Sequence, residues 1–115
     1  MRLASGIAPV RDWIDLGVKV GLGVDGSSSN DSGHLLAEAR QTMLLQRVKH
    51  GAENFSAREA LKIATKGGAE TLCRRDIGEI SVGKAADFAI YDLNQIDMSG
   101  TLSDPIAALI FCGPI

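Results

Sequence analysis

The residue in this sequence best placed to do chemistry is Asp25. It closes the run Val18 to Val24 (VKVGLGV), whose β-branched and small residues suit a buried strand. After it comes the polar loop Gly26 to Gly33 (GSSSNDSG). A carboxylate at the C-terminal end of a buried strand, opening onto such a loop, stands where α/β enzymes hold their catalytic groups. An aspartate before glycine also caps a loop through its own backbone, and spacing alone leaves both roles open. His34, just past the loop, reads either as a helix-start residue or as a ligand contact.

Other constellations lead away from competing chemistries. Gly21 to Gly26 (GLGVDG) satisfies G-x-G-x-x-G, but dinucleotide binding needs a helix opening at the third glycine. Here Ser27 to Gly33 intervenes, and no second strand with an acidic end follows. The serines at 27, 28 and 29 lack a G-x-S-x-G frame. Lys84 in VGKAAD follows one glycine rather than the spaced pair of a phosphate loop. His34 and His50 fall at opposite ends of one expected helix, too far apart to share a metal. With no H-x-H or H-E-x-x-H, this stretch cannot furnish the three or four ligands of a zinc site by itself.

The elements that must position Asp25 can be read from periodicity. Pro9 suits a first helical turn, with Val10, Trp13 and Ile14 on one face and Gly17 able to end the helix. A second helix is expected from about Leu35 to Lys49, with Leu36, Ala39, Met43 and Leu44 near one side and Gly51 as its stop. Ser56 to Glu59 (SARE) matches a capping box, and Ala60, Leu61, Ile63 and Ala64 supply a buried face. Gly67-Gly68 is expected to break that helix, leaving a short helical piece from Ala69 to about Leu72. Residues 78–86 (GEISVGKAA) read as turns, and 87–93 (DFAIYDL) and 106–111 as strands. Helices on either side of a buried strand make an α/β layout, yet the strand neighbours such a layout needs are not visible in the chain.

Composition bounds the rest. At 115 residues the chain is too short for a (β/α)8 barrel of about 250, so any barrel signature in it is a part of one. With 45% hydrophobic and 23% charged residues and a mean hydropathy of +0.09, it is globular. A net charge of −2 and a pI near 5.6 give no electrostatic footprint for nucleic acid or an anionic membrane. No apolar run approaches the roughly 18 residues of a membrane span, and MRLASGIAPV lacks a signal peptide's apolar stretch. Cys73 and Cys112 read as free thiols of a reducing compartment, which makes a cytoplasmic location the expectation.

Three segments together carry a resemblance. Ser5 to Val10 (SGIAPV), Gly17 to Asp25 (GVKVGLGVD), and Gly78-Glu79-Ile80 with Val82 to Phe88 (VGKAADF) resemble the C-terminal part of an amidohydrolase-superfamily enzyme. Asp25 to Asp31 (DGSSSND) and Leu35 to Arg40 (LLAEAR) are similar to its aminohydrolase branch, the 8-oxoguanine deaminases and hydroxyatrazine-type hydrolases. The resemblance implies part of a (β/α)8 metal-dependent hydrolase barrel, its last strand and helices, over residues 1–76. Residues 77–115 would then be part of a C-terminal β-sandwich. It implies that Asp25 is both a metal ligand and a catalytic proton carrier, with Ser27, Ser28, Asn30 and His34 near the substrate. The metal would be divalent, zinc or alternatively iron, its other ligands lying upstream of Met1. The implied reaction is hydrolytic deamination of a purine or triazine ring, 8-oxoguanine first among them, with this C-terminal fragment alone inactive. The alternative is a non-enzymatic binding or oligomerisation module. In either case an unpaired strand edge favours a homo-oligomer or domain swap.

Overall fold

Helix α2 (Leu35–His50) is the element on which the others assemble. Its positions 39, 43 and 46, spaced for one helical face, are fully buried as Ala39, Met43 and Gln46. In this computed structural model, which describes residues 3–30 and 32–113, the chain runs from α1 (Val10–Asp15) to α2 and a 3-10 turn (Ala52–Asn54). There follow α3 (Ala57–Lys62), a π-helical turn (Ile63–Gly67), α4 (Gly68–Thr71), a second 3-10 turn (Ile96–Met98) and α5 (Pro105–Cys112). The core joins α1, α2, α3 and α5 through Val10, Met43, Phe55, Ala60, Ile63 and Ile110.

Local chemistry sets the boundaries. Ser56 caps α3, its hydroxyl accepting from the Glu59 N–H at 3.2 Å while the Glu59 carboxylate accepts from the Ser56 N–H at 2.7 Å. That is the reciprocal box its sequence predicts. Gln46, buried in α2, takes the place of a cap for α1. Its Oε1 accepts from the Arg11 N–H at 3.0 Å and its Nε2 donates to the Ala8 carbonyl at 2.9 Å. A first-turn N–H has no partner within its own helix, and here a neighbouring helix supplies one. Arg11 in turn reaches the Glu59 carboxylate at 2.8 Å and also pairs with Asp15, tying α1 to α3.

Several expectations are corrected. Residues 106–111, expected as a strand, are helical. Asp104 caps α5 by accepting from the Ala107 N–H at 3.1 Å, and Pro105 occupies its first turn. A short apolar run does not distinguish strand from buried helix by periodicity, and the Asp-Pro start decides it here. Residues 18–24 and 87–93 form no strand ladder, and no strand occurs among the described residues. A ladder needs a second strand alongside. Residues 18–24 instead cross helices, with Val20 and Leu22 packed against the core. Trp13 is 40% exposed rather than buried.

Gly67-Gly68 does not break the helix. Both residues keep helical dihedrals as the chain passes from the π turn into α4. Glycine is required at 67 for a different reason, since a Cβ there would lie 2.2 Å from the Val20 carbonyl oxygen. The extended segment leading to Asp25 therefore rests directly on the backbone of the π turn. Gly78 fits the same way on the other side. Its φ is +90°, and a Cβ would meet Ala69 Cβ at 2.8 Å. Beyond it, Glu79 pairs with Lys66 and with Lys84 at 3.1 Å, clamping the 78–86 turns onto the π turn. Lys66 first, then Lys84, hold the Glu79 carboxyl below its ordinary value.

A candidate active site at Asp25

Asp25 stands where the supported segment runs out, with Val20 and Leu22 anchored behind it. It is exposed, and its backbone is left-handed with φ +61°. A non-glycine residue in that region is uncommon, aspartate and asparagine being the usual ones. Such conformations persist where surrounding contacts impose them, and they cluster at functional sites. One carboxylate oxygen, Oδ1, accepts from the Gly26 N–H at 2.7 Å, so the backbone-capping role left open by the sequence is present. Oδ2 has no hydrogen-bond partner among the described residues.

The loop beyond it is closed by hydrogen bonds. The Gly26 carbonyl accepts from the N–H groups of Ser29 (2.9 Å) and Asn30 (3.0 Å). Asn30 is wholly engaged. Its Nδ2 donates to the Val24 carbonyl (2.7 Å) and to Glu38 Oε1 (2.6 Å), while its Oδ1 accepts from the Ser32 N–H at 3.3 Å. An amide has two N–H donors, and both are spent inside the protein, so Asn30 holds the loop instead of offering an open contact. Ser27 and Ser28 are exposed on the turn beside Asp25. Asp31, in the same loop, lies outside the described residues. His34 is the N-cap of α2, its Nδ1 accepting from the Ala37 N–H at 3.3 Å. That leaves Nε2 as the atom able to meet a ligand.

Sequence reasoning missed Glu38. Its carboxylate, on the first turn of α2, receives the Asn30 amide. The only signal was its place in LLAEAR, eight residues after Asn30.

The described residues do not assemble a metal site by themselves. No group of three or more His, Cys, Asp or Glu side chains is placed to hold an ion. Among the described residues, Asp25 offers its carboxylate without two further His, Cys, Asp or Glu side chains grouped around it. A hollow of about 570 Å³ runs between Leu36, Leu61, Ile77, Phe88 and Leu109. No helix among the described residues is long and apolar enough to cross a membrane. Cys73 and Cys112 are free.

The described residues thus set one exposed carboxylate, Asp25, at the end of a segment that rests on the π turn. The chain belongs to the amidohydrolase family, whose profile matches residues 1–113. It is 48% identical over 112 residues to the 8-oxoguanine deaminase of Pseudomonas aeruginosa, covering 97% of this chain and 25% of that one. To the hydroxydechloroatrazine ethylaminohydrolase of Pseudomonas sp. strain ADP it is 43% identical, covering 86% of this chain and 22% of that one. The backbone superposes on atrazine chlorohydrolase TrzN from Arthrobacter aurescens TC1, solved with zinc, with a TM-score of 0.85 and 43% identity over 92% of this chain and 24% of the other. A zinc-bound adenosine deaminase from Xanthomonas campestris gives 0.89 and 34% over 96% and 25%. The chain thus has the backbone arrangement of an amidohydrolase and spans about a quarter of the length of the relatives it matches.

Proposed function

We propose that this chain forms the C-terminal share of a zinc-dependent aminohydrolase that deaminates a purine or triazine ring, with 8-oxoguanine the leading substrate. The single observation carrying the reading is the exposed Asp25, held left-handed at the end of a supported extended segment. It is supported by 48% identity along nearly the whole chain to an 8-oxoguanine deaminase. Residues 18–24 take the position of the last barrel strand. Residues 1–76 belong to the barrel and 77–115 to the adjoining sandwich part, with α5 returning to pack on α2 and α3. The location is cytoplasmic, in keeping with two free thiols.

The chemistry follows from the carboxylate. Asp25 would be one ligand of a zinc ion, and a zinc bound there would lower the pKa of water from 15.7 to about 7. Asp25 accepts the proton released in the attack on the ring carbon and delivers it to the departing nitrogen, a transfer worth roughly 10²–10⁴ in rate. Gly26 N–H restrains one oxygen of that carboxylate and leaves Oδ2 for the reacting groups. Ser27, Ser28 and His34 Nε2 are the contacts this loop offers to the ring.

The test is a graft. Residues 1–113 replace the matching quarter of the P. aeruginosa 8-oxoguanine deaminase, and ammonia release is followed with 8-oxoguanine and with hydroxylated aminotriazines. Turnover of 8-oxoguanine above that of the triazines supports the reading. A folded, zinc-loaded graft that turns over none of them refutes it.

A further inference from the structure

Both peptide groups that flank Asp25 make hydrogen bonds. On its C-terminal side the Gly26 N–H donates to its own carboxylate at 2.7 Å. On its N-terminal side the Val24 carbonyl accepts from Asn30 Nδ2 at 2.7 Å. The Gly26 bond couples the carboxylate to the peptide that follows it, and the Asn30 bond anchors the peptide that precedes it, so the placement of Val24 governs where the coupled unit points. The amide that holds Val24 is itself held, because its second N–H reaches Glu38 Oε1 at 2.6 Å on a helix anchored in the core.

From this geometry we infer that Asn30 and Glu38 form a strap from α2 to Val24 that aims the Asp25 carboxylate, making both of them positioning residues for the reaction. The inference rests on the proposed deaminase reading for its purpose, and on the hydrogen bonds alone for its geometry. Asparagine is the residue type the strap needs. It has two donors on one nitrogen, whereas aspartate has none and would set a second carboxylate against Glu38. Glu38 needs only an acceptor oxygen, so glutamine suffices there.

The experiment is NMR on the 115-residue chain. The one-bond Cα–Hα coupling of residue 25, smaller at positive than at negative φ, reports its conformation, and the methyl signals of Met43 and Ile110 report the core. In Asn30→Ala the left-handed signature at residue 25 is lost or averaged while the core signals stay in place. Glu38→Ala gives partial averaging, and Glu38→Gln restores the native value. An unchanged coupling in Asn30→Ala or Glu38→Ala overturns the inference. So does core signal loss in Asn30→Ala combined with an unmoved residue 25 in Glu38→Ala. In the graft, Asn30→Ala lowers kcat about 10–100-fold with KM little changed, the size typical of a group that orients a metal ligand. A graft inactive before any substitution overturns the deaminase reading and leaves the coupling measurement on residue 25 standing.

Discussion

Replacing Gly67 by alanine separates two physical effects by sign. Gly67 has helical dihedrals, φ −59° and ψ −43°. In a helix without tertiary neighbours, Gly→Ala stabilises by about 1 kcal/mol. Here the new methyl would stand 2.2 Å from the Val20 carbonyl oxygen, and both are backbone-fixed. Restoring ordinary contact means parting the extended segment and the π turn by about 1 Å, and overpacking of that kind costs about 1–3 kcal/mol. Taking the upper end, because neither partner is a flexible side chain, and setting the propensity gain against it leaves about 2 kcal/mol of destabilisation. Gly68 is the internal control, with φ −59°, ψ −47° and nothing within 4 Å of a Cβ. Gly68→Ala therefore stabilises by up to about 1 kcal/mol. At about 4 °C per kcal/mol for a chain of this size, thermal unfolding followed by circular dichroism should show Gly67→Ala melting about 8 °C lower and Gly68→Ala slightly higher. Both variants moving upward together would refute the close crossing of residues 18–24 over the π turn.

Three further perturbations follow. Gln46→Leu strands the Arg11 N–H and the Ala8 carbonyl, and should lower stability by about 1–3 kcal/mol in urea titrations, whereas a neutral result would place those groups in water. Ser56→Ala removes half of a capping box and should lower stability by about 1 kcal/mol, measurable as a shift in the urea midpoint with unchanged slope. Acid should destabilise. The carboxyls of Asp12, beside Lys49, and of Asp104, beside Arg58, lie below their usual range. Burial pushes Glu59 up, but hydrogen bonds from Ser56 and Arg11 bring it below its ordinary value. Lowered folded-state values mean that this stability is fully present above the ordinary carboxylate values of 3.8 and 4.5 and is lost as pH falls below them. A melting temperature flat through that range would contradict the ion-pair assignment.

The parts of this molecule that local chemistry dictates were legible in the sequence. The Ser56-Glu59 box, the Gly51 stop of α2 and the helical start near Pro9 each depend on a few adjacent residues, and each lies where expected. What depends on partners distant in the chain was not legible. The apolar run 106–111 suits strand or helix equally until Asp104-Pro105 is weighed as a cap and first turn. Gly67-Gly68 reads as a breaker until the Val20 carbonyl is seen to need the space. At the candidate site, the Asp25 cap on the Gly26 N–H was legible from an aspartate standing before glycine. The roles of Asn30 and His34 turned on hydrogen bonds to Val24, Glu38 and Ala37, which no spacing rule reveals.

The central claim concerns one carboxylate, and Asp25→Asn in the graft tests it most directly. Asparagine tolerates the left-handed backbone and can still accept from the Gly26 N–H, so the substitution removes the charge and the proton acceptor with the shape kept. Turnover per bound zinc should fall by roughly 10²–10⁴, with the residue 25 coupling unchanged. Turnover per zinc equal to that of the unsubstituted graft would contradict the account.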